Sequence, residues 1–175
     1  PQRCWQVGSA SKAIAPALGA GWVRAPMAQA EALRARSYAG GQLVGSWNAQ
    51  VFIGLVESGE AQRVAEAMRA ELSTRHALAR EILGAERLLP GAGPAPHLWL
   101  RAAPDRAPGL RARMLDLGVR LTAADVPPLA SVPAAGLRIC LGAADGVPQL
   151  GRALRALAAT IAADPGSLHP GSSEA

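Results

Sequence analysis

The spacing of apolar residues changes once along this chain, and that change limits the folds open to it. From about residue 60 to 84 apolar side chains recur at helical intervals. Val64, Met68 and Leu72 form one stripe, and Leu78, Ile82 and Leu83 extend it. Gly84 supplies a stop, and the turn-rich run LPGAGPAP follows at 89–96. Beyond it the runs are short. HLWLR (97–101) reads as a strand, GLRARMLDLG (109–118) as a helix closed by Gly118, and VRLT (119–122) and LRICL (137–141) as two further strands. A last helix carries Val147, Leu150, Leu154, Leu157 and Ile161 three and four apart, with Pro148 tolerated in its first turn. Strand, helix, strand, strand, helix describes a small α/β layer with helices on one face.

The first half reads differently. CWQVG (4–8) and GAGWVRAP (19–26) read as short buried strands, the second entered by glycines and closed by Pro26. Residues 27–37 and 42–57 are helix-like, the latter with Leu43, Trp47, Val51 and Leu55 four apart. No internal repeat is visible. The tail DPGSLHPGSSEA is expected to be disordered.

Half of the 175 residues are apolar, so a core is affordable, but there is one Phe and one Tyr. That core must be built from Ala, Leu and Val with four Trp. The net charge of +5 is scattered as single arginines among alanines and acids, as at Arg34, Arg36, Arg63, Arg69 and Arg75. Such scattering predicts solvated helix faces and argues against a basic nucleic-acid patch. Cys4 and Cys140 lie in apolar stretches without metal-ligand spacing, and are expected to be reduced core thiols of a cytosolic protein. No apolar run approaches the roughly 18 residues of a membrane span. The chain begins at Pro1, and it is expected to be a piece of a longer protein.

The charge composition holds one anomaly. There are seventeen arginines and one lysine, Lys12, in VGSASKAIAPALGAGW (7–22). A bias that replaces lysine wherever arginine serves leaves lysine where only an amine will do. A guanidinium stays protonated, whereas an amine can lose its proton and attack a carbonyl. Ser9 and Ser11 offer hydroxyls, and Gly8 a close backbone approach, of the kind a phosphate needs beside a strand end. A plain surface lysine in a Ser/Ala loop fits the same residues.

VGSASKAIAPALGAGWVRAP resembles the lysine segment of fold-type I pyridoxal-phosphate enzymes of aminotransferase class I/II, where Ser-x-Ser-Lys precedes Ala-Pro-Gly-Leu-Arg and a glycine with an aromatic residue. The likeness is greatest to the aminotransferase-like domain of MocR-type regulators, which join it to a winged-helix DNA-binding domain of the GntR kind. PHLWLR, VESGEAQRVAEAMRAE and LRICLGAADGVPQLGRALRALAATIA resemble further segments of that domain in the right order, from about residue 4 to 163.

The resemblance implies the carboxyl-terminal portion of a pyridoxal-phosphate-dependent transferase fold. Residues 1–58 would end the large cofactor-binding domain, 59–163 would form the interdomain helix and small domain, and 164–175 the tail. It implies pyridoxal 5'-phosphate as cofactor, bonded to the amine of Lys12, which would also move the proton between substrate Cα and cofactor C4′. Ser9, with Ser11 as helper, would hold the phosphate. Arg138 would grip the α-carboxylate of an amino acid or 2-oxo acid. Amino-group transfer, a homodimer and a cytoplasmic location are the matching expectations. The alternatives are effector sensing, with DNA bound only through an upstream domain absent from this chain, and a remnant without cofactor.

Two departures bear on this. Gly19 stands where the family has its phosphate-clamping arginine. Loss of such a contact weakens phosphate binding by about 2–3 kcal/mol. The family's aspartate on the pyridine nitrogen and its ring-stacking aromatic precede the lysine, where this chain has eleven residues. Arg138 also reads as an anion site from its strand alone, because Leu137, Ile139 and Leu141 define one face while Arg138 and Cys140 face the other way. An internal salt bridge or an exposed edge would satisfy the same pattern. His76 and His97 are too isolated for a metal, His76 is expected to be solvated on a charged helix face, and His169 falls in the tail. Asp116, Asp125 and Asp145 show no paired spacing, and no metal site is expected.

Overall fold

The computed structural model describes residues 3–41, 43–91, 93–123 and 136–164. The chain divides into two compact units, Pro1–Met68 and Arg69–Ala175. Asp164, the first residue of the expected disordered tail, is described and pairs with Arg113; the rest of that tail, and with it His169, falls outside the described residues, as does Asp125.

In the first unit β1 (Gln6–Ser9) and β2 (Gly21–Arg24) form an antiparallel ribbon. The ribbon is joined through a one-turn helix α1 (Ala10–Ala13) and a 3₁₀ turn at Pro16–Leu18. Trp22 pairs with Gly8, and its indole lies where a side chain at position 8 would be. Helices α2 (Met27–Ala39) and α3 (Ser46–Glu57) follow. The buried core of this unit is small: Ala10, Leu18 and Ala20, against which Ile14, Val44, Val51, Phe52 and Leu55 pack.

The two strands were expected to be buried, and they are not. Val7, Trp22 and Val23 are exposed, as are Trp5 and Trp47. The small core gathers under the connection between the strands, so the ribbon itself has no covered face. Cys4 is exposed beside β1, and Cys140 is exposed at the end of a strand in the second unit; neither is a core thiol. The helix expected over 42–57 begins at Ser46, after Gly45 in its capping position.

Helix α4 (Glu60–Leu83) runs into the second unit and stops at Gly84, whose φ of 85° no β-carbon tolerates easily. The sheet there has the order β3 (His97–Arg101), β5 (Gly136–Cys140), β4 (Thr122–Ala123), all antiparallel. Leu88 forms a bridge to Leu100 on the outer edge of β3. Strand alternation turns Leu98, Leu100, Leu137 and Ile139 to one face, where α5 (Ala107–Asp116) and α6 (Val147–Ala163) contribute Leu110, Met114, Leu150, Leu154, Leu157 and Ile161. Each fully buried side chain of this size contributes about 1.5–3 kcal/mol of transfer free energy. This is the one-sided α/β layer expected from the sequence.

β4 begins at Thr122, later than the strand expected at 119–122. Gly118, at φ 75°, ends α5 in a Schellman turn: its N–H donates to Leu115 O at 2.9 Å, and that of Val119 to Met114 O at 2.8 Å. The amide of Val119 is thereby committed to the helix end and unavailable to a ladder.

One arginine expected on a solvated face is internal. Arg75 is buried, with Nε donating to Glu71 at 2.8 Å and Nη1 donating to Leu141 O at 2.7 Å and Ala144 O at 2.9 Å. Arg34, Arg36, Arg63 and Arg69 are exposed as expected. His76 is likewise no free surface group, since its Nε2 lies 3.0 Å from Ala95 N and 2.7 Å from Ala95 O.

Candidate functional site

Lys12 sits in the connection between β1 and β2. Ser9 ends β1 and caps α1: its Oγ accepts from Ser11 N at 3.2 Å. Ala10 is buried and donates its N–H to Ala20 O at 2.9 Å, which closes the base of the loop. Leu18 anchors the other limb, and Gly19 takes the left-handed conformation at φ 53°. The small core therefore holds α1 from below, while Lys12 itself is exposed.

Among the described residues Lys12 takes part in no ion pair. Ser9 uses an oxygen lone pair on Ser11 N, so its hydroxyl hydrogen remains to be donated. An uncommitted amine, two hydroxyls and a backbone turn suit the aldehyde and phosphate of a pyridoxal group. The departure at Gly19 is not made good by Arg24, which pairs with Gln6 at the far end of the ribbon, three residues, or about 10 Å, beyond Gly21.

The second unit holds Arg138, in the central strand of its sheet. Directly paired residues of an antiparallel ladder project to the same face. Arg138 pairs with Trp99 on one side and Thr122 on the other, so the three form a row across the face opposite the described helices. Arg138 is half-buried, and its Nε is buried without a hydrogen-bond partner among the described residues. Its guanidinium is a planar fork of the kind that pairs with a carboxylate in two places. The sequence had singled out Arg138; Trp99 and Thr122 emerge from the strand register, which the period-two pattern alone does not align.

A groove of about 890 Å3 lies between α4 and the connection leading to β3. Its polar lining includes Ser73, His76, Arg80 and His97, and it contains neither Lys12 nor Arg138. Among the described residues no cluster of three or more His, Cys, Asp or Glu could hold a metal ion. No helix among them is long and apolar enough to cross a membrane.

No protein-family model and no curated protein matches the chain in sequence. Its structure is similar to that of LysN, the α-aminoadipate aminotransferase of Thermus thermophilus, solved with N-(5'-phosphopyridoxyl)-L-leucine. The TM-score is 0.66 at 18% identity, over 91% of this chain and 42% of that one. The chain thus spans less than half the length of the aminotransferase it matches. The described residues have the fold of part of an aminotransferase.

Proposed function

We propose that the chain is the carboxyl-terminal portion of an aminotransferase-like protein that holds pyridoxal 5'-phosphate and an amino acid or 2-oxo acid. The observation that carries the proposal is Lys12, the chain's one lysine, exposed and without an ion pair among the described residues, on a braced turn within the fold of part of an aminotransferase. Ser9 and Ser11 would donate to the cofactor phosphate from the base of that turn. The Lys12 amine would bond to the cofactor and, once released, hold or deliver the proton at substrate Cα. Arg138 would take the carboxylate on its guanidinium. The cofactor supplies the electron sink for amino-group transfer. A homodimer is part of the proposal.

Sensing of an amino-acid effector, as in the MocR-type regulators the sequence resembles, is the second reading at the same residues, and Gly19, where the phosphate clamp is missing, favours a remnant without cofactor.

Mixing the protein with pyridoxal 5'-phosphate tests both readings against a remnant. A visible absorption band dependent on Lys12 is expected, lost in Lys12→Ala and weakened in Ser9→Ala. A band that survives Lys12→Ala would overturn the assignment. Release of a 2-oxo acid from added amino acids separates turnover from sensing.

A further inference from the structure

We infer that the open face of the three-stranded sheet selects carboxylates with an apolar body, Arg138 binding the carboxylate and Trp99 the body. The inference rests on the reading of Arg138 given above and adds the chemical class of its ligand.

The argument begins with Gly136. Its position on β5 projects to the same face as Arg138, two residues along. A β-carbon there would overlap the indole of Trp99 and the carbonyl of Leu100. The indole therefore leans diagonally from its own position, opposite Arg138, across the glycine. It covers the strip of sheet beside the guanidinium with an apolar ring.

Among the described residues of β3 and β5, Arg101 is the second arginine on this face, paired with Gly136. The ring that covers Gly136 lies between the two arginines. A dicarboxylate bound at Arg138 would seek a second cation within a few ångströms, and on that side it meets indole instead. The opposite flank holds Thr122, a neutral hydroxyl. Trp99 also lines the groove at the outer edge of β3, whose walls include Leu88, Leu89, Pro90 and Leu98. A body that crosses the ring reaches further apolar surface. A flat aromatic or branched aliphatic body gains by contact with the ring, and a second carboxylate loses hydration there without a partner.

The 175-residue chain is titrated with 3-phenylpropionate, propionate and glutarate, following its indole N–H resonances. The aromatic acid is expected to bind at least tenfold more tightly than propionate, and glutarate no more tightly than propionate. Arg138→Gln should abolish binding of all three. Trp99→Ala should bring 3-phenylpropionate down to the level of propionate, and Trp99→Phe should restore most of the difference, which guards against simple loss of the fold. Glutarate binding tightest, a preference unchanged in Trp99→Ala, or no binding to the wild type would each overturn the inference. No cofactor is present in this titration. A missing Lys12-dependent band with the preference intact would thus defeat the functional reading alone, and the reverse outcome would defeat only the inference.

Discussion

Arg75 Nη1 donates to the carbonyl oxygen of Leu141 at 2.7 Å, and the same nitrogen bonds Ala144 O at 2.9 Å. Two acceptors in the turn after β5 are thereby tied to the middle of α4. Replacing Arg75 by Met leaves both carbonyls short of a donor in a buried place, and should lower stability by about 2–4 kcal/mol. Arg75→Lys keeps a charge but lacks the planar fork, and should recover only part of the loss. Glu71→Gln should change stability by less than about 1 kcal/mol, because the Glu71 side chain is 48% exposed and solvent screens the pair. Urea midpoints at constant m-value check all three. A Met variant as stable as the wild type would show that the turn is held by something else.

Leu154 stands at the centre of the buried stripe of α6 and is 2% exposed. Leu154→Ala removes apolar surface and leaves a cavity between the helix and the sheet. A loss of about 2–5 kcal/mol is expected. The exposed Leu115, on the outer side of α5, should lose less than about 1 kcal/mol on the same substitution. Comparing the two in one denaturation series separates core packing from helix propensity.

Gly118 isolates a backbone effect. Its φ is 75°, and a β-carbon there would meet nothing within 4 Å. Gly118→Ala should therefore destabilise by about 1 kcal/mol through conformation alone. Gly118→Asn should be milder, since Asn tolerates the left-handed region. Equal stability for Ala and Gly would mean that the Schellman turn rearranges at no cost.

The layered half of the fold was legible because its signals reinforce one another. The interval pattern of Leu150, Leu154, Leu157 and Ile161 is a helix stripe wherever the helix goes, and HLWLR matches β3 residue for residue. The ribbon was legible as strands but not in its burial. CWQVG and GWVR are apolar enough for a core, and only the fold discloses that their unit gathers its core under the connection instead. Arg75 was hidden for a related reason. Its sequence neighbourhood is that of every other helical arginine here, and its distinction comes from carbonyls 66 and 69 residues away. At the candidate site Lys12 and Arg138 could be singled out by residue type. Trp99 and Thr122 could not, because strand order and register decide which residues flank an arginine.

His76 connects α4 to the segment before β3 through a single ring nitrogen. Nε2 lies 3.0 Å from Ala95 N and 2.7 Å from Ala95 O, and a nitrogen cannot accept and donate at once. With the ring proton on Nδ1, Nε2 accepts from the Ala95 amide; with the proton on Nε2, it donates to the Ala95 carbonyl. Either form fastens the turn-rich segment one residue before Pro96, whose carbonyl accepts from Leu141 N at 2.8 Å. His76→Ala removes both options. The Ala95 amide should then exchange at least tenfold faster, and protease cleavage within 89–96 should rise, while the urea midpoint moves by less than about 1 kcal/mol, as expected for a local opening. His76→Gln carries an amide N–H and a carbonyl at comparable reach and should restore much of the protection. Unchanged exchange at Ala95 in the Ala variant would mean that the backbone around Pro94 and Pro96 holds the segment without the imidazole.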